Sequence, residues 1–249
     1  MGKLWNSFKI AFAMYSKIPM PRVEWDQKSL AWALCWFPVV GAMIGAALWG
    51  WLWLWDRFDL GALGAAGAAL LPIALSGGIH MDGLCDTCDA LASNQDRARR
   101  LEILKDSHAG AFACIGCGVY LLALFAAWTE APRCVALALS PVLSRCLSGL
   151  AAVSWKNARG SGLLASFTAP MDAGRAKAVL LGLTVLVMVG MTLLDGYAAV
   201  LAAALSFLWY RRMAFRAFGG ITGDTAGWFL QICELFQVAG MAVAGKAGF

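Results

Sequence analysis

Apolar runs of near 20 residues recur along the chain between short polar clusters, each long enough to cross about 30 Å of hydrocarbon as a helix. Seven spans are predicted, at about 31–55, 60–79, 111–129, 132–153, 178–194, 197–210 and 226–245. Only Asp195, Gly196 and Tyr197 separate the fifth from the sixth. The opening MGKLWNSFKIAFAMYSKIPMP breaks its apolar run with Lys9 and has no small-residue cleavage site, so it does not read as a cleaved signal. Leu4, Trp5, Phe8, Phe12 and Tyr15 share one helical face, with Lys3 and Lys9 towards water. This predicts an amphipathic helix within 1–22, lying on a leaflet and ended by Pro19 and Pro21. The expected fold is all-α: a polytopic membrane helix bundle of about seven spans plus the interfacial helix, one domain over 1–249.

Composition agrees, with 61% hydrophobic and only 14% charged residues, against about a quarter charged in soluble chains. With the N-terminus placed in the cytoplasm, 16 lysines and arginines fall on cytoplasmic segments and only Arg57, Arg133 and Lys246 on the other side. Arg145 lies inside a span. Such a bias is a positive-inside signal and favours an odd number of spans. Trp32 and Trp36 at one end of the first span, and Trp49, Trp51, Trp53 and Trp55 at the other, resemble an interfacial aromatic belt.

Against this background SGGIHMDGLCDTCDALASNQD, residues 76–96, is unexpectedly acidic. On a helix Asp82, Asp86 and Asp89 lie at 0°, about 40° and about −20°, so all three share one face. Carboxylates so close repel, and a hard divalent cation, magnesium or manganese, relieves that repulsion. Gly77, Gly78 and Gly83 would allow close approach of backbone or ligand. A merely solvated acidic face would intersperse lysines and glutamates, whereas Leu84, Cys85, Cys88, Ala90 and Leu91 fill the gaps.

Basic and polar groups follow in RARRLEILKDSHAGAFACIG. Arg97, Arg99 and Arg100 serve either topology or phosphate charge; Lys105, Asp106, Ser107 and His108 offer donors and acceptors. Arg145, inside a span, needs a cavity and a partner, for which a phosphate or a clustered aspartate would serve. Asp224, after the glycine-rich turn of FGGITGDTAGWFLQICELF, is either a helix N-cap or a second acidic site. Glu234 stands deep in the last span. The pairs Cys85/Cys88 and Cys114/Cys117 have CxxC spacing, but packing explains them better than zinc, and cytoplasmic thiols argue against disulfides.

The blocks GGIHMDGLCDTCDAL, LKDSHAGAFACIG, SRCLSGLA, ARGSGLLASF and GGITGDTAG, in this order, resemble the cobalamin synthase (adenosylcobinamide-GDP ribazoletransferase) family along nearly the whole chain. Two positions depart from it: the family usually has a basic or polar residue other than histidine at 108, and a glutamate where Gln231 stands. The resemblance implies a transferase that joins adenosylcobinamide-GDP to α-ribazole or its 5′-phosphate and releases GMP. It implies an enzyme of the bacterial inner membrane, with N-terminus and a catalytic segment at 80–110 facing the cytoplasm. Mg²⁺ (or Mn²⁺) on Asp82, Asp86 and Asp89 would bridge the pyrophosphate, and one of these aspartates or His80 would take the hydroxyl proton. Arg145, Arg159 and Lys105 are expected phosphate contacts, with Asp106, Ser107, Asp224 and Glu234 also binding substrate. Membrane lipids and other late cobalamin-pathway enzymes are the expected partners, not nucleic acid. A CDP-alcohol phosphotransferase is the nearest alternative, but its DGxxAR opening is absent, since Leu84, Cys85 and Asp86 follow Asp82–Gly83. A divalent-cation transporter is the other, against which the acidic cluster lies at a span's end rather than at midplane.

Overall fold

In the computed structural model, which describes residues 2–106, 108–168 and 172–248, the apolar runs become helices joined by short turns. In chain order these are α1 (Gly2–Tyr15), α2 (Gln27–Ala33), α3 (Phe37–Phe58), α4 (Gly61–Ser76), α5 (Ile79–Ala92), α6 (Arg97–Ile103) and α7 (Ala111–Glu130). There follow α8 (Val135–Ala138), α9 (Ser140–Ser154), α10 (Leu163–Thr168), α11 (Ala173–Leu193), α12 (Tyr197–Phe218) and α13 (Gly223–Lys246). A single 3₁₀ turn, Leu34–Trp36, links α2 to α3. The only strand-like pairing among the described residues is a parallel bridge between Asn157 and Ile221.

Large apolar side chains point outward along the long helices: Leu63 on α4, Leu122 on α7, Leu186 and Leu193 on α11, and Val243 on α13 are all more than 60% exposed. A water-soluble domain does not leave so much apolar surface bare, and a lipid-facing one does. The fold is an all-α membrane bundle. Five helical segments are long and apolar enough to cross, namely 27–58 and helices α7, α11, α12 and α13; a sixth crossing results if the bent pair α4–α5 counts as one. The predicted span 60–79 is α4 with the turn that ends it, and 132–153 joins two pieces, α8 and α9. Gly77 and Gly78, both left-handed at φ 69° and 76°, end α4 at 16 residues. They turn α5 by 97°, a conformation that residues with a Cβ rarely adopt. The second window breaks at Leu139, and α9 restarts with Pro141 in its first turn, where a missing N–H costs nothing.

Helix α13 is the hub, packing against α5, α7, α9 and α12. Small residues permit the close approaches, as is usual where lipid gives helices no hydrophobic reason to associate. A Cβ on Gly83 of α5 would lie 2.6 Å from the carbonyl oxygen of Asp224, and one on Gly227 of α13 would lie 3.2 Å from that of His80. Gly83 is thus a contact between helices, not an opening for a ligand. Gly64 and Gly67 of α4 seat the indoles of Trp55 and Trp51 of α3, and Trp51 Nε1 donates to Gly64 O at 2.8 Å. Two of the four tryptophans at this end of the expected belt are therefore helix packing; Trp49 and Trp53 face outward.

Helix α5 lies across the first turns of α7 and α13. The loops 155–162 and 219–222 meet at the same end, where Ile221 N donates to Lys156 O and Ala158 N to Ile221 O. At the opposite end Arg133 pairs with Asp56 and stacks on Trp55, and Lys246 pairs with Glu130 at 2.8 Å. Arg57, Arg133 and Lys246, the basic residues separated from the rest by charge bias, thus gather there, away from the acidic helix.

Helix α1 ends at Tyr15, four residues before Pro19. Leu4 and Trp5 are exposed, as an interfacial face requires, but Ile10, Ala11 and Phe12 are fully buried against α2, α3 and the region of Phe167. Asn6 donates to Glu24 O and Asp26 Oδ2, and Lys9 to Arg22 O, so the chain after α1 is strapped back over it. The helix is a wall of the bundle as well as a surface element.

Candidate active site

Where α5, the end of α9, the loop after it and the start of α13 converge, they enclose a cavity of about 290 Å³. Its polar wall carries His80, Asp82, Asn157, Arg159, Thr222 and Asp224; Leu34, Phe37 and Leu230 make an apolar floor. The volume is at the small end of the range for ligand sites. Tyr15 of α1 also faces into it.

Each polar group arrives by a distinct local device. Thr222 caps α13: its Oγ1 accepts from Thr225 N at 3.1 Å while Thr225 Oγ1 accepts from Thr222 N at 2.8 Å, a reciprocal capping box. Asp224 is therefore not the cap. It stands in the first turn, where the helix dipole favours a negative charge, and binds Arg159 Nη2 at 2.9 Å. Arg159 also donates to Leu104 O at 2.8 Å, tying the loop before α7 to the site. Asn157 Oδ1 accepts from the backbone of Arg159 and Gly160, which fixes the loop and turns its amide nitrogen elsewhere.

Three buried polar atoms on this wall lack any protein partner: His80 Nε2, Asn157 Nδ2 and Arg159 Nε. Orphaned buried polar atoms are uncommon and call for an explanation. Clustered on one cavity wall, they suit a ligand rich in acceptors. Burial, with Arg145 adding positive charge nearby, holds the His80 imidazole well below its usual range, so it is neutral at physiological pH.

The helical-wheel prediction for the acidic face holds only in part. Asp82 is exposed on the cavity rim and Asp86 is half-buried. Burial pushes the Asp86 carboxyl up to about 7, reinforced by Asp82, Asp224 and Asp89 and opposed by Arg159. Asp89 points the other way, to the start of α7, where its two oxygens accept from Gly110 N at 2.6 Å and Ala113 N at 2.9 Å. It satisfies two of the orphan donors at that helix end. Among the described residues no three His, Cys, Asp or Glu side chains close into a metal cage.

Other expected site residues lie elsewhere. Lys105 and Asp106 are exposed outside the cavity, and Asp106 instead accepts from His108; Ser107 falls outside the described residues. Arg145 and Glu234 do not line the cavity either. Arg145, 1% exposed, donates to Glu234 Oε1 at 3.0 Å and Pro141 O at 2.9 Å, and its guanidinium stacks over Phe37. Ser144 Oγ donates to the same Glu234 oxygen at 2.7 Å. The two span-embedded charges, expected to bind substrate, instead pair with each other within the bundle, outside the cavity lining. Beside them Gln231 accepts a hydrogen bond from Tyr120. Cys85, Cys88 and Cys117 sit in the contact of α5 with α7, while Cys114 is exposed. Asn157 and Thr222 went unnoticed in the sequence; the one available signal was a Thr directly before the glycine–aspartate start of an apolar run.

Fold and site together define a polytopic membrane protein with carboxylates, a guanidinium and a neutral imidazole around a cavity at one end. The model of the family described as cobalamin-5-phosphate synthase matches residues 7–242. The chain belongs to that family. It is 44% identical, over 98% of its length and 95% of the relative's, to the adenosylcobinamide-GDP ribazoletransferase of Lachnoclostridium phytofermentans. Proteins of the same name from Pseudomonas fluorescens and Clostridium perfringens are 35% and 33% identical, each over more than nine-tenths of both chains. No solved structure gives a significant match.

Proposed function

We propose that this chain is an adenosylcobinamide-GDP ribazoletransferase, joining adenosylcobinamide-GDP to α-ribazole or its 5′-phosphate to give adenosylcobalamin or its 5′-phosphate and GMP. Family membership supports the activity. The observation that carries the site is the cavity wall on which His80, Asn157 and Arg159 present unpartnered polar atoms beside Asp82 and Asp224.

The ribazole hydroxyl oxygen attacks the phosphorus on the cobinamide side of the pyrophosphate. A new P–O bond forms, the bond to the bridging oxygen breaks, and its electron pair leaves on GMP. Arg159, oriented by Asp224, and the Asn157 amide are the donors for the phosphate oxygens. The neutral His80 ring and the Asp82 carboxylate are the groups on the cavity wall placed to accept the hydroxyl proton. The cavity suits the reacting phosphates and a sugar; a corrin ring exceeds it and stays at the mouth. Mg²⁺ would fit the crowding of Asp82 and Asp86, which Arg159, engaged with Asp224, relieves only in part, and when bound it would neutralise charge on the pyrophosphate. An open cage is what such a site needs, because Mg²⁺ keeps waters and takes only one or two carboxylates with the substrate phosphates. In proteoliposomes, adenosylcobinamide-GDP, α-ribazole 5′-phosphate and Mg²⁺ are expected to yield GMP and the cobalamin phosphate in equal amounts. Absence of both products, or release of CMP from a CDP-alcohol instead, would sink the reading.

The charge bias and the substrates support one orientation, with α5 and the cavity facing the cytoplasm of a bacterial inner membrane. In intact cells an impermeant thiol reagent is expected to label A98C only after lysis and D59C at once. The reverse pattern would invert the protein.

A further inference from the structure

At the same end of the bundle as the cavity, but on its outer surface, α12 carries a strip of another kind. Leu201, Leu205, Leu208, Arg212 and Arg216 follow one another at helical spacing on one side. The leucines are 61%, 56% and 64% exposed, and both arginines are exposed. A lipid-facing hydrocarbon track therefore ends in two cations.

Beside those cations is a second cavity of about 300 Å³, completed by Arg100 of α6 and by Trp209, Met213 and Leu91. Three guanidinium groups thus converge from two helices. Among the described residues none of the three pairs with a carboxylate, whereas the neighbouring Arg99 is bound to Glu102. Arg100 Nε is buried and has no partner. The helix dipole accounts for Arg216, in the last turn of α12. It does not account for Arg212, a turn earlier, nor for Arg100 on another helix. Like charges gathered around a hollow repel unless an anion lies between them, and a phosphate accepts from several guanidinium groups at once.

We infer that α6 and α12 form a binding site for an anionic phospholipid, its headgroup phosphate held by Arg100, Arg212 and Arg216 and its acyl chains laid along Leu208, Leu205 and Leu201. The leucine track distinguishes a lipid from a free phosphate, which has no use for it. Trp209, partly exposed beside the arginines, belongs at headgroup depth. The excess of three positive charges selects an acidic headgroup over a zwitterionic one.

The test uses the full-length protein in detergent, equilibrated with equimolar phosphatidylglycerol and phosphatidylcholine and read for retained lipid by native mass spectrometry. Wild type is expected to keep phosphatidylglycerol over phosphatidylcholine by about tenfold, and R212Q/R216Q to fall to about twofold or less. R211Q, which also removes an exposed charge but outside this cavity, keeps the preference. R212K/R216K, with charge and alkyl stems intact, keeps most of it and separates loss of the site from loss of the fold. Equal retention of the two lipids by wild type would overturn the inference, as would an equal loss in R211Q. Displacement of the lipid by millimolar inorganic phosphate would overturn the choice of lipid over free anion.

Discussion

Replacing Asp86 by Asn is expected to reduce turnover by about 10³-fold, the size of effect of losing one element of an electrostatic site, here a carboxylate that would hold the cation on the phosphates, while the protein still folds and inserts. Asp82→Ala behaves the same way. Both side chains are crowded by like charge with no structural duty to explain them: no described residue hydrogen-bonds either carboxylate, and Asp86 is held against Asp82 and Asp224 by the contact of α5 with α13. Such crowding persists when a bound cation or substrate benefits from it. Asp89 offers the control. Its two carboxylate oxygens cap α7, a task of which asparagine, with a single acceptor oxygen, keeps half; the variant loses some stability but no group at the cavity. Asp89→Asn is therefore expected to stay within about tenfold of wild-type turnover. Mn²⁺ bound in place of Mg²⁺ gives a second readout: its electron paramagnetic signal in the protein is lost in Asp82→Ala and Asp86→Asn and retained in Asp89→Asn. If Asp89→Asn loses both the metal signal and turnover with the fold intact, its carboxylate leaves the α7 cap to ligate the metal.

These aspartates also mark how far the sequence could be read. Their spacing placed them on one helix face, and that reading needs only the 3.6-residue period. What the period cannot supply is the neighbour each side chain meets. Asp89 meets a helix start 21 residues on, and nothing local to residue 89 announces it. The family resemblance rested on five motif blocks and is borne out over residues 7–242. The membrane bundle was legible for the same reason: exposed leucines in a helix read alike in sequence and in space. Span limits were less so. Leu139 interrupts an apolar window and Gly77–Gly78 turn the chain at the end of one, and a sliding average cannot register a change of direction. Asn157 was invisible because an asparagine in a polar loop is unremarkable until the hydrogen bonds of its Oδ1 leave the amide nitrogen bare in a cavity. Arg145 was read correctly as needing a partner. Choosing that partner meant knowing that α9 and α13 are neighbours, 89 residues apart in sequence.

That pair supplies the largest expected change in stability. Arg145→Met and Glu234→Leu are each expected to destabilise the folded bundle by about 3 kcal/mol, because each leaves the other residue's charge or hydrogen-bonding groups buried without its partner. Arg145 is 1% exposed, its remaining contacts are Pro141 O and the Phe37 ring, and Ser144 already donates to Glu234. The double variant R145M/E234L removes both charges and fills the space with apolar groups, an exchange that is often neutral or better. It is expected to lie within about 1 kcal/mol of wild type, a coupling of about 5 kcal/mol in the double-mutant cycle. Thermal unfolding in a single detergent measures all four proteins. Turnover separates the structural role from a role in binding. A pair that only neutralises itself leaves the double variant active per folded molecule, with KM for adenosylcobinamide-GDP unchanged. Were Arg145 a phosphate contact instead, R145M would keep its thermal midpoint, raise KM sharply, and gain nothing from the second substitution.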